Sequence, residues 1–111
     1  MSQQVHLRDF ELMILLVVLS LGEDAYGVPI ARELKAHGRG GVSLANVYAT
    51  LDNLQIKGFV SSQLADPTPE RGGRAKRYFR VTAQGVRKVQ QTQRLLVRLW
   101  QRIPALQGVN S

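Results

Sequence analysis

The hydrophobic period of this chain changes twice along its length, and those changes restrict its architecture more than any single residue does. Up to Gly58 the apolar side chains recur every three or four positions. From Phe59 they sit in short β-branched and aromatic runs, and after Thr82 the helical spacing returns. In residues 7–21 the positions Leu7, Phe10, Ile14, Val17, Val18 and Leu21 share one helix face, with Leu15 and Leu19 widening it, so this segment reads as a largely buried helix. Gly22 can take the positive φ that closes it. A second helix is expected to begin near Tyr26, because Pro29 is tolerated only in a first turn, and to run to about His37 before the flexible GRGG at 38–41. Ser43 is the expected N-cap of a third, ending before Gly58. Its apolar side is Leu44, Val47, Leu51 and Leu54, and its opposite side is the small and polar set Ala45, Asn46, Ala49 and Asn53.

Residues 59–65 and 76–81 read as two strands of a hairpin whose long tip, DPTPERGGRA, is punctuated by two prolines and two glycines. Thr82 can cap a last helix in which Val86, Val89, Gln93, Leu96, Trp100 and Ile103 repeat at the alternating spacing of a coiled-coil seam, ended by Pro104 and Gly108. Such a helix protrudes from a small domain, so a second copy is expected to cover the seam. Packing on its own domain alone is the alternative. The expected fold class is mainly α with a small β-hairpin, a winged helix-turn-helix over 1–81 followed by a dimerisation helix and tail over 82–111.

Charge points to a partner. Residues 1–70 carry 5 basic and 8 acidic side chains; residues 71–111 carry 10 basic and none acidic, within a total of +7. That asymmetry is the expected footprint of a polyanion partner, nucleic acid or an acidic membrane surface, with a merely solvated basic helix as the alternative. Arg71, Arg74, Lys76, Arg77 and Arg80 fall within ten residues on and beside a glycine-containing tip, where backbone can approach phosphates closely. In a winged helix the third helix enters the major groove and the tip follows the backbone or reaches the minor groove. Ala45 and Ala49 make the entering face slim, and their methyls can touch thymine methyls. Asn46 can pair with an adenine edge, or be plain surface, and Asn53 lies further from the entry point. Tyr26 is read as a phosphate donor and Tyr48 as mixed, since either ring can also serve packing alone.

Other classes are excluded by what the chain lacks. With no Cys there is neither a disulfide framework nor a thiolate metal site. His6 and His37 have no acidic cluster at ligand spacing, no Ser/His/Asp arrangement is defensible, and RGGR is not framed by strand and helix as a nucleotide loop would be. No cofactor and no enzymatic activity are expected. The longest apolar run, residues 13–19, is far short of the roughly twenty needed to span a bilayer. The first residues lack the layout of a secretion signal, so a cytoplasmic location with no membrane partner is expected.

Three segments, DAYGVPIAREL at 24–34, VSLANVYATLDNLQIKGFV at 42–60 and PERGGRAKRYFRVTAQG at 69–85, together resemble the PadR family of bacterial transcriptional regulators. The resemblance implies a homodimeric winged helix-turn-helix repressor on double-stranded operator DNA, released by a small aromatic or hydrophobic effector. It maps Tyr26 onto the tyrosine of the family's AYG, Ser43 and Tyr48 onto the recognition-helix region, and Gly72, Gly73, Arg74 and Lys76 onto the wing. Joined to the residues read from helix rotation and charge, these give the expected DNA-binding set Tyr26, Ser43, Ala45, Asn46, Tyr48, Ala49, Arg71, Gly73, Arg74, Lys76 and Arg77. The dimerisation set is Val89, Gln93, Leu96, Trp100 and Ile103, with Trp100 either stacking on the effector or only filling the interface. Asn53 and Gln55 depart from the arginine and glutamate frequent in relatives, and Ala45-Asn46 departs from the usual pair there. A constitutive architectural or partner-docking module without effector is the competing reading.

Overall fold

The computed structural model describes residues 6–65 and 76–108. Its elements run α1 (Asp9–Leu21), α2 (Gly27–Ala36), α3 (Leu44–Ile56), β1 (Val60–Leu64), β2 (Arg77–Val81) and α4 (Ala83–Gln101), with 3₁₀ turns at Gly22–Asp24 and Pro104–Leu106. β1 and β2 form one antiparallel ribbon in which Val60 faces Val81 and Leu64 faces Arg77. This is the expected mainly helical winged helix-turn-helix.

Local chemistry sets the boundaries. Gly22 ends α1 at φ +59° and ψ −118°, a backbone region open to glycine alone. Pro29 occupies the first turn of α2, where its missing N–H would have no helical partner. The Ser43 Oγ accepts from the Asn46 amide at 3.1 Å and starts α3. α3 closes in a Schellman arrangement around Gly58 (φ +85°): the Gly58 amide donates to the Gln55 carbonyl and the Phe59 amide to that of Leu54. The Thr82 Oγ1 accepts from the Gly85 amide at 3.0 Å and donates to the Gly58 carbonyl at 2.7 Å, so one hydroxyl caps α4 and ties it to the end of α3. Gly85 has no room for a side chain, since a Cβ there would collide with the Phe59 carbonyl and lie 2.7 Å from Val81.

The core is built from Ile14, Leu15 and Val18 of α1, Ala25, Ile30 and Leu34 around α2, Val47, Leu51 and Leu54 of α3, and Phe59, Val60 and Phe79 of the ribbon. The Ala25 carbonyl accepts from the Phe79 amide at 2.8 Å, which docks β2 against the link between α1 and α2. Beneath α1 lies one buried ion pair. Glu11, 4% exposed, accepts from the Arg8 amide at 2.8 Å and from Lys57 Nζ at 2.9 and 2.7 Å. A buried carboxylate needs this degree of pairing to remain tolerable.

Three expectations change. α1 is not largely buried, because Met13, Leu16 and Leu19 are open to solvent, Leu19 among them although it was assigned to the apolar stripe. α2, α3, β2 and the start of α4 pack against it and still leave these three side chains uncovered. Leu44 is exposed as well, being the first residue of α3, a turn beyond the last core contact at Val47. Ile103 lies after the end of α4 rather than within its seam, with φ −107° and ψ 104° just ahead of Pro104.

Candidate nucleic-acid interface

α3 turns Val47, Leu51 and Leu54 into the core and leaves Ala45, Asn46, Ala49 and Asn53 on its open face. Asp52 and Ile56 share that face. The Asn46 and Asn53 side chains carry no intramolecular hydrogen bond among the described residues, and with Phe10, Arg39 and Thr50 they line a shallow groove beside the helix. Arg39, in the link between α2 and α3, lies 5.4 Å over the Phe10 ring and flanks this groove as a cation.

A second cluster sits where the ribbon leaves the body of the domain. Lys76 Nζ donates to the Tyr26 hydroxyl at 3.0 Å and lies 4.1 Å above the Tyr26 ring centroid, while Tyr78 packs against the same ring at 5.2 Å. Two residues fifty positions apart thereby offer a hydroxyl and an ammonium side by side, a donor pair suited to an anionic oxygen. Tyr48 is half-buried, its ring 6.3 Å from Phe79 and pressed on Gly27, where a Cβ would lie 2.9 Å from Cε2 and closer still to the hydroxyl end. The glycine after Tyr26 is therefore a requirement of the Tyr48 ring.

Strand parity divides the cationic cluster. Arg77 faces α3: its Nη1 donates to Asp52 Oδ1 at 2.9 Å, its Nη2 to Gln55 Oε1 at 3.0 Å, and its guanidinium lies 4.8 Å from the Phe79 centroid. Gln55 Oε1 also accepts from the Ser62 hydroxyl at 2.9 Å. Arg80 points to the other side of the ribbon, into a groove shared with Gly22, Glu23 and Tyr78. Arg71, Gly73 and Arg74 lie outside the described residues, as does Gly72.

α4 packs its first turns on the domain through Gly85 and Val89 and then leaves it. Leu95, Leu96, Leu99 and Trp100 are each about half exposed, and Ile103 follows at 43%. With Thr92 taken as the centre of the face and about 100° per residue, Leu96 and Leu99 lie closest to the centre, Trp100 and Gln93 on one border and Leu95 on the other. No helix among the described residues is long and apolar enough to cross a membrane, and no group of three metal-ligating side chains occurs among them.

The family model described as the transcriptional regulator PadR-like family matches residues 15–91, well over half of the sequence. The chain belongs to the PadR-like family of transcriptional regulators. Solved PadR structures share its fold. A PadR-like regulator from Bacillus cereus superposes with a TM-score of 0.70 at 23% identity, over 89% of this chain and 92% of that one. A PadR regulator from Eggerthella lenta gives 0.68 at 23%, over 88% and 83%, and a PadR-like factor from Bacteroides fragilis 0.67 at 23%, over 81% and 82%. Among curated proteins none matches. PadR-like proteins are transcriptional regulators, not a family of enzymes.

The pairing of Arg77 with Asp52 and Gln55, and the place of Leu95 and Leu99 on the α4 stripe, escaped the sequence reading of this PadR chain. Asp52 and Gln55 stand three apart on the wing side of α3, and the parity of β2, with Phe79 inward, aims Arg77 at them. Both signals are local, but their pairing needs the packing of α3 on the ribbon. Leu95 and Leu99 were passed over because a strict three–four repeat counted from Val86 omits them, although the 100° rotation places both on the same stripe.

Proposed function

We propose that this PadR-family regulator is a homodimer that binds double-stranded operator DNA sequence-specifically and acts as a repressor. The observation that carries the reading is the slim open face of α3, Ala45, Asn46, Ala49 and Asn53, beside the Lys76–Tyr26 donor pair at the root of a cationic wing. In this reading Ala45 and Ala49 admit α3 to a major groove about 12 Å wide and Asn46 reads a base edge. Tyr26, Lys76, Arg71, Arg74 and the Gly73 backbone hold phosphates, while Ser43 and Tyr48 fix the helix that does the reading. Arg77 belongs to this surface as a cation already engaged by α3.

The half-exposed stripe of α4 supports pairing with a second copy, and two-fold symmetry then calls for half-sites about one helical turn, or a multiple of it, apart. Trp100, on the border of that stripe and 57% exposed, is the side chain on which a planar aromatic effector would stack. Quenching of its fluorescence together with release of DNA is the expected response to such a compound.

The deciding experiment is competition of a bound palindrome from the protein's own upstream region by excess unrelated duplex. Retention of the palindrome supports sequence-specific regulation, and loss at equal concentration means an architectural binder. With about four phosphates neutralised per subunit, the log–log salt slope of the dimer is expected near −7. A slope shallower than about −2 removes the wing from the interface.

A further inference from the structure

α3 contains no basic residue, and its single ionised side chain is acidic: Asp52, on the same open face as Ala45, Ala49 and Asn53. A carboxylate there opposes the approach of a polyanion. Its guanidinium partner, Arg77, is a third exposed along its side chain, against 54% for Asp52, and is held by Asp52, Gln55 and the Phe79 ring. Gln55 is in turn anchored by Ser62, so the acceptors that hold Arg77 are themselves fixed. An arginine in this setting has its strongest acceptor inside the protein, and a DNA phosphate must compete with Asp52 for it.

We infer that Asp52 is an affinity-limiting residue that withdraws Arg77 from the DNA backbone and so weakens binding to every duplex regardless of sequence. The inference rests on the DNA-binding reading given above. Phosphate contacts supply the sequence-independent part of affinity, so holding one cation per subunit in reserve lowers affinity for all DNA alike, makes the salt slope shallower and eases release from unrelated duplex. Asp52 does this without touching a base, and Gln55 keeps the guanidinium in place without adding a second charge.

The test is Asp52→Asn in the full chain, titrated against a labelled duplex of unrelated sequence over a series of salt concentrations, with Asp52→Ser as a second variant and circular dichroism to verify folding. One released phosphate contact is worth about 0.9 in the log–log slope, and about eightfold in affinity at 0.1 M relative to 1 M salt, for each subunit that binds. Both variants are expected to bind more tightly and more steeply by that amount, and the gain is expected to vanish when Arg77→Gln is also present. Unchanged or weaker binding overturns the inference, because a mere staple between helix and wing yields no gain on removal. An equal gain in the Arg77→Gln background also overturns it, since loss of the negative charge alone then accounts for the effect. Wild-type protein that ignores every duplex at low salt refutes the DNA-binding reading itself, a result distinct from either of these.

Discussion

Replacing Leu99 with glutamate tests the self-association of α4 where the structure concentrates its apolar surface. The side chain is 53% exposed, so a covering partner has about half of a leucine left to bury, worth about 1 kcal/mol. Enclosing a polar group there costs about 2 kcal/mol more, going by mutational data on uncompensated polar burial. A two-fold interface counts each change twice, which brings the loss to about 6 kcal/mol, or about four orders of magnitude in the dimer dissociation constant. Sedimentation velocity at micromolar concentration is the assay. Wild-type protein is expected as a dimer and Leu99→Glu as a folded monomer, because Leu99 lies beyond the part of α4 that packs on its own domain. Arg94→Ala, on the far face of the helix, is expected to remain dimeric. With half the phosphate contacts the monomer's salt slope falls to about −3.6. A Leu99→Glu protein that sediments as the wild type does, or a wild type that is itself monomeric, refutes the reasoning.

Further outcomes follow from the packing and from the charges. Gly27→Ala pushes a methyl into the Tyr48 ring and is expected to cost about 1–3 kcal/mol; thermal melting reads this, and Tyr48→Leu in the same chain should restore part of the loss. Lys57→Ala strands the Glu11 carboxylate with only the Arg8 amide, and because Lys57 keeps 27% of its side chain in solvent the cost is put at about 2–3 kcal/mol, below the full range for a buried pair. The double variant Glu11→Leu/Lys57→Met is expected to melt above Lys57→Ala, and a lower midpoint counts against the buried-pair account. Lys76→Ala should weaken all duplexes about equally and flatten the salt slope by about 0.9 per subunit, while Asn46→Ala should alter preference at one base pair. Identical behaviour of these two variants in a binding-site selection contradicts the division between phosphate and base contacts.

Much of the fold was legible because it is governed over a few residues at a time. Gly22 and Gly58 stop helices through backbone angles that other residues resist, Ser43 and Thr82 start them through one side-chain oxygen, and the alternation after Phe59 marks the ribbon. The open face of α3 followed from helical rotation alone, since Val47, Leu51 and Leu54 define the inward direction. Rotation was less reliable where an element outruns its neighbours. Leu19 and Leu44 have the spacing of core residues, yet among the described residues the neighbouring elements cover them only in part.

Sequence by itself determined the elements, their order, the family and the cationic character of the wing, because caps, glycine angles, periodicity and charge density act along the chain. Only the tertiary structure decided which side chains meet: Tyr26 with Lys76, Glu11 with Lys57, and Asp52 and Gln55 with Arg77. Those pairs span 22 to 50 positions, and a contact at that separation exists only once α1, the start of α2, α3 and the ribbon have packed at particular distances and rotations. Counting charges along the chain makes Arg77 one more free cation, whereas its geometry makes it a cation held in reserve by the helix beside it.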